Sequence, residues 1–179
     1  MKILKIILLT VVAIIAIALI TALFVNGDYS IKREIVINKP KTEVFNYIKY
    51  LKNQNEYSKW AKMDPNMKPT FRGTDGQVGF VSAWDSKLDS VGKGEQEIMK
   101  IEEGKRVDYE IRFIKPMEAV APAYMITDSI APTETKVTWG FEEHVPYPFN
   151  LMCLFFDVEQ LIGNDLNVGL SNLKGKLEQ

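Results

Sequence analysis

The chain has 179 residues, with 22 basic and 23 acidic side chains and a formal net charge of −1, a length that suits one domain plus an appendage. No basic run interleaves with aromatic residues, so the footprint of a nucleic-acid binder is missing and no nucleic-acid partner is expected. A single cysteine, Cys153, excludes an intrachain disulfide, and with His144 as the sole histidine there is no raw material for a zinc site or a histidine-based triad. Neither a metal nor a cofactor is expected.

From Ile6 to Val25 the sequence is uncharged and mostly apolar, long enough as a helix to cross about 30 Å of hydrocarbon. Lys2 and Lys5 precede it, so the positive-inside tendency places the N-terminus in the cytoplasm and the following residues outside it. Lys32 and Arg33 on the far side oppose that assignment. A cleaved signal peptide is the rival reading, against which stand the long apolar run and the lack of a small-x-small site before Asn26. Residues 1–28 are therefore read as a single-span anchor with a short linker, and residues 29–179 as one domain beside the membrane.

Ile31 to Ile37 is β-branched and alternating, which predicts a strand. Pro40 suits the first turn of a helix running from Lys41 to about Leu51, with Val44, Phe45, Ile48 and Leu51 as its apolar stripe. A second short helix is expected from Glu56 to Met63, ended by Asp64-Pro65. Met67–Arg72 and Val78–Asp85 flank the turn Gly73–Gly76 and predict a hairpin. Glu95–Ile101 and Arg106–Ile114 predict another, and in its second strand Val107, Tyr109, Ile111 and Phe113 alternate with charged residues. Such alternation belongs to an antiparallel sheet with one wet face, which leaves Arg112 solvated. Ala119–Ile130 is the next strand, in which Pro122 predicts an edge or a bulge. Lys136–His144 follows, with Val137, Trp139 and Phe141 on one face.

Pro148 to Leu177 reads as one long amphipathic helix of roughly eight turns. Its inner arc is Leu151, Phe155, Val158, Ile162, Leu166, Leu170, Leu173 and Leu177. Glu159 falls within that arc, so its carboxylate is either buried with a partner, facing a hollow, or snorkelling to the surface. Gly163 and Gly169 each cost about 1 kcal/mol relative to Ala inside a helix; Gly169, on the inner arc, is either a close-approach point or a plain imperfection. Cys153, among Leu151, Met152, Leu154 and Phe155, is expected to be a buried small hydrophobe rather than a reactive thiol. The expected fold is α+β, with about seven antiparallel strands in a curved sheet closing around one long helix.

Several segments carry a resemblance. Tyr57–Lys68, containing Trp60 and Asp64-Pro65-Asn66-Met67, resembles the tryptophan and Asp-Pro-Asn-Met segment of bacterial polyketide cyclase/dehydratase-type proteins. Gly73-Thr74 through Val78-Gly79, Trp84, Gly92-Lys93-Gly94-Glu95 leading into Ile98, Val137–Gly140 and Pro146-Tyr147-Pro148 are similar to further parts of the same group. That group belongs to the START-like, or SRPBCC, helix-grip superfamily. The resemblance covers residues from about Tyr29 to the C-terminus. It implies a hydrophobic cavity between sheet and long helix, and no particular reaction, since members range from lipid carriers to cyclases.

Alternation turns Trp84, Tyr109, Phe113, Met125, Trp139 and Phe141 inward, where they either wall a small-molecule pocket or fill a solid core. Trp60 is read as a gate at the pocket mouth or a cap on the core. For acid–base chemistry the chain offers Asp85, Glu143, His144 and Glu159, with nothing in their spacing to show convergence. Three functions remain open: a membrane-anchored binder of a hydrophobic small molecule or lipid, with Glu159 at the ligand; a cyclase, dehydratase or hydrolase using Glu159 with His144 or Glu143; and an interaction module presenting the sheet or the loop Ser86–Gly92.

Overall fold

The computed structural model describes residues 2–155 and 157–179, the Glu143 side chain excepted. Its first element, α1 (Lys2–Ala22), is long and apolar enough to span a membrane, and of its residues only the last, Ala22, is buried by the rest of the chain. After a short linker come β1 (Asp28–Ile37) and three small helices, α2 (Lys41–Ile48), α3 (Gln54–Tyr57) and α4 (Lys59–Met63). The strands β2 (Thr70–Arg72), β3 (Val81–Asp85), β4 (Lys93–Glu102), β5 (Arg106–Lys115), β6 (Ala119–Ala131) and β7 (Glu134–His144) follow, and α5 (Val158–Leu177) closes the chain.

All neighbouring strands pair antiparallel, in the order β1-β7-β6-β5-β4-β3-β2. The first strand returns to pair with the last, Asp28 opposite His144 and Ile37 opposite Thr135. This curved seven-stranded sheet wraps α5, as the alternation of apolar and charged residues requires. Leu166, Leu170 and Leu173 on α5 are fully buried, each stabilising the fold by about 1.5–3 kcal/mol relative to exposure. Against them pack Ile31, Val107, Tyr109, Met125 and Val137 from the strands.

The long helix differs from the sequence expectation. It does not begin at Pro148: a 3-10 turn occupies Phe149–Leu154, and α5 starts only at Val158. Asp157 is the cause, since its side chain accepts a hydrogen bond from the Gln160 backbone N–H at 2.8 Å and caps a fresh helix. Phe155, assigned to the inner arc, is instead exposed, and Cys153 is only half-buried. Two of the three glycines of α5, Gly163 and Gly169, serve close approaches. The Arg33 guanidinium lies where a Cβ of Gly163 would stand, and a Cβ on Gly169 would lie 2.6 Å from Cζ3 of Trp139.

Smaller departures have local reasons. The second short helix is two, α3 and α4, separated by extended Ser58. β2 is only three residues long. β6 lies inside the sheet, but its ladder with β7 starts at Ala123, so Pro122 stands one residue beyond it where β6 is locally an edge.

Candidate ligand cavity

The alternation of β3, β4, β5 and β7 aims one set of side chains at α5, and at one end of the sheet that set does not fill the space. A cavity of about 250 Å³ remains, just below the roughly 300–1,000 Å³ range of drug-sized ligand sites and so suited to a smaller molecule. Trp84 from β3, Phe113 from β5, Trp139 and Phe141 from β7, and Ile162 and Leu166 from α5 form its walls. Trp60 of α4 and Ser58, between α3 and α4, cover it, and Met67, Pro69, Ser90 and Val91 line it from two loops at its rim.

The aromatic walls are held by specific contacts. Trp139 is 3% exposed. It meets the edge of Tyr57 at 5.7 Å between ring centroids and that of Trp60 at 6.3 Å, with an interplanar angle of 85° for the latter. Trp84 stands edge-on to Phe113 at 6.2 Å and donates its indole N–H to the Val91 carbonyl at 3.2 Å. Its ring lies over Gly94, where a Cβ would be 2.6 Å from Cζ2. The glycines of Gly92-Lys93-Gly94 thus have separate causes: Gly92 has φ +64° in the turn into β4, and Gly94 makes room for an indole.

The rim loops are pinned to each other. Asp64 accepts hydrogen bonds from the Asn66 backbone N–H at 3.0 Å and from Ser86 Oγ at 2.5 Å, and Ser86 Oγ in turn accepts from Leu88 N–H at 3.0 Å. The Ser86 and backbone bonds hold the Asp64 carboxyl below its ordinary range. On the other flank Lys59 of α4 pairs with Asp165 of α5, and Asn172 donates to the Tyr57 carbonyl at 3.0 Å.

One lining group is unsatisfied. Gln96, on the inner face of β4 between Gly94 and Ile98, is 8% exposed, and its Nε2 is enclosed without a hydrogen-bond partner. An enclosed, unpaired donor costs about 1–3 kcal/mol.

Five of the aromatic positions expected at a pocket line this cavity: Trp60, Trp84, Phe113, Trp139 and Phe141. Tyr109 and Met125 do not. They are buried deeper, Tyr109 O–H donating to the Ile48 carbonyl at 3.3 Å and Met125 Sδ accepting from Tyr57 O–H at 3.4 Å. Burial pushes the Tyr109 hydroxyl pKa well up. Glu159 is a correction. In the first turn of the shortened α5 it points outward, with its side chain 62% exposed and 3.6 Å from Arg33. His144 and Asp85 are also outside, paired with Asp28 at 2.7 Å and with Lys93 at 2.6 Å. The Glu143 side chain lies outside the described residues. No carboxylate lines the cavity among those residues, so the acid–base set expected around Glu159 is not assembled there. Gln96 was missed, although its signal was legible: an uncharged polar residue alternating with Glu95 and Glu97 on a strand must face inward.

No family model matches the chain, and no curated protein matches it in sequence. Solved structures do match in shape. Norcoclaurine synthase from Thalictrum flavum, in complex with dopamine and hydroxybenzaldehyde, superposes with TM-score 0.61 at 11% identity, over 84% of this chain and 86% of that one. TTHA0849 from Thermus thermophilus gives 0.61 at 16% identity over 83% and 97%. The Aha1 dimer from Colwellia psychrerythraea gives 0.57 at 14% identity over 84% and 96%. At these identities the likeness shows the fold alone. The chain is a helix-grip-like α+β domain preceded by one apolar helix of membrane-spanning length.

Proposed function

We propose that residues 29–179 bind a small, largely apolar molecule bearing one hydrogen-bond acceptor, and that residues 1–28 anchor this domain to a membrane with the N-terminus cytoplasmic. The observation that carries the reading is the tryptophan-walled cavity containing the unpartnered Gln96 amide. Aromatic walls supply apolar contact and edge-on geometry, and one buried donor supplies orientation, because a ligand lacking an acceptor would leave it unpaired. The exposed positions of Glu159, His144 and Asp85, each paired outside the cavity, support binding as the first reading. The superfamily resemblance of Tyr57–Lys68 and Gly92–Glu95 supports the same reading, as does the shared shape of a structure solved with two small aromatic molecules.

The test is organic extraction of the purified full-length chain followed by mass spectrometry. The expected result is a recurrent apolar compound containing a carbonyl, ether or hydroxyl oxygen, reduced in Gln96→Leu. A chain that never retains such a compound, whatever host or detergent is used, contradicts the proposal.

A further inference from the structure

We infer that the turn after β7, residues 145–155, seats in the headgroup and upper acyl region of a lipid bilayer, beside the point where α1 leaves it. The inference rests on reading α1 as the membrane span, and it is independent of what the cavity binds. Val145 to Phe155 contains no charged residue. Had this stretch joined α5, its apolar side chains would have been turned onto the sheet. The Asp157 cap ends that option, and the 3-10 turn carries them outward instead. Phe149, Met152 and Leu154 are 52%, 52% and 57% exposed, and Phe155 is 79% exposed. Four large apolar side chains within seven residues form a patch rather than the scattered exposure normal for a soluble surface.

What covers this patch follows from its neighbour. Asn150, buried at the middle of the turn, donates from Nδ2 to the carbonyls of Ala22 and Val25, each at 2.8 Å. Carbonyls at a helix C-terminus lack intrahelical donors, so one side chain both satisfies them and ties the turn to the end of α1. The Val145 backbone N–H reaches the Gly27 carbonyl at 2.9 Å and repeats the link. Exposed Leu23 and Phe24 continue the apolar surface from α1 toward the turn. A medium that covers α1 up to its last turn therefore also meets Phe149, Met152 and Leu154. The water side is marked close by: the exposed polar side chains of Asp28 and His144 meet at 2.7 Å at the first residue of β1. Half-exposed Tyr147 belongs to the same turn, and aromatic side chains collect at bilayer surfaces. The domain is thereby held at two points, span and turn, as interfacial elements are.

The experiment uses the full-length chain in phosphatidylcholine vesicles containing nitroxide-labelled lipids, on a Cys153→Ser background. An environment-sensitive nitrobenzoxadiazole label is placed by Leu154→Cys, and in parallel by Phe149→Cys should the first variant fold poorly. Ile14→Cys reports on the middle of α1, and Ile130→Cys, an exposed apolar site at the β6–β7 turn, reports on the opposite end of the sheet. The labels at 154 and 149 are expected to lose most of their emission to nitroxides near the headgroups. The label at 14 should respond to deep nitroxides, and the label at 130 to neither. If 154 and 149 behave like 130 while 14 is quenched, the patch faces water or a protein partner and the inference is overturned with the span intact. If 14 is not quenched either, the span reading has failed and takes this inference with it.

Discussion

Gly169 on α5 lies directly under the indole of Trp139, so close that a Cβ at that position would stand 2.6 Å from Cζ3. The helix accepts a poor helix former there so that the cavity wall can sit against its backbone. Gly169→Ala gains about 1 kcal/mol of helix propensity, but the ring has no free side to retreat to except the hollow, being packed by Tyr57 and Trp60. Overpacking of this kind costs about 1–3 kcal/mol. The variant is expected to be less stable than wild type to urea, with an altered near-ultraviolet circular dichroism signal. A clean gain of stability would show that Trp139 is not held where the cavity account requires.

Gln96→Leu is expected to separate stability from binding. Removing an enclosed, unpaired amide relieves a penalty of about 1–3 kcal/mol, so the unliganded variant should be more stable in denaturant. It should also bind an oxygen-bearing apolar ligand more weakly, by roughly tenfold for one lost hydrogen bond of about 1.4 kcal/mol. Equal stability and unchanged affinity would remove Gln96 from the site.

The outer face of the sheet carries a charge cluster with a definite pH signature. Arg112 reaches Glu95 at 2.9 Å from Nε, and Glu97 and Glu110 at 2.6 Å each from its two terminal nitrogens, while Arg72 adds a bond to Glu95 at 2.7 Å. The Arg72 bond, and then that of Arg112, hold the Glu95 carboxyl below its ordinary range. A group whose pKa is depressed on folding stabilises the fold above its unfolded value and loses that contribution as pH falls through the folded one. Stability should therefore decline as pH drops below about 4.3, the ordinary glutamate value. Arg112→Met is expected to cost about 1–3 kcal/mol at neutral pH. It should also weaken the acid-side slope, because Glu95 loses one of the two guanidinium bonds that hold its carboxyl down. Urea titrations of both chains between neutral pH and the acid limit check the sign.

Asp64 ties one rim loop to the other through Ser86. Its carboxyl is depressed first by that bond, so the tie is complete above the ordinary aspartate range and is released as pH falls through the lowered value. Asp64→Ala is expected to raise amide hydrogen exchange across Ser86–Gly92 and to quicken ligand release while leaving the α5 core protected. Unchanged exchange in that loop would contradict the role.

Much of this was legible in the residues. The strands and their inward faces followed from alternation, because Val107, Tyr109, Ile111 and Phe113 have charged neighbours that only an antiparallel sheet with one wet face accommodates. Leu166, Leu170 and Leu173 declared the buried stripe of α5. The helix start was not legible, because the apolar recurrence through Leu151 and Phe155 has the right period. Only the capping bond of Asp157 shows that the helix begins afresh. Glu159 has the spacing of the inner arc relative to Ile162 and Leu166, but it sits in the first turn of α5, before the buried stretch that begins at Gly163. Tyr109 and Met125 share the inward face with the cavity residues, and periodicity says nothing about depth along a strand. Gln96, conversely, was legible, since its alternation with Glu95 and Glu97 on β4 already places it inside.

The most direct test of the unfilled interior is a titration of the full-length chain, in phosphatidylcholine nanodiscs, with 2-naphthol, an aromatic body carrying one hydroxyl. Quenching of tryptophan fluorescence should saturate at one molecule per chain in wild type. It should lose that saturation in Ser82→Leu, since Ser82 of β3 also lines the cavity and the larger side chain fills it while leaving the tryptophans themselves unsubstituted. Non-saturating, partition-like quenching that is the same in both chains would contradict the account.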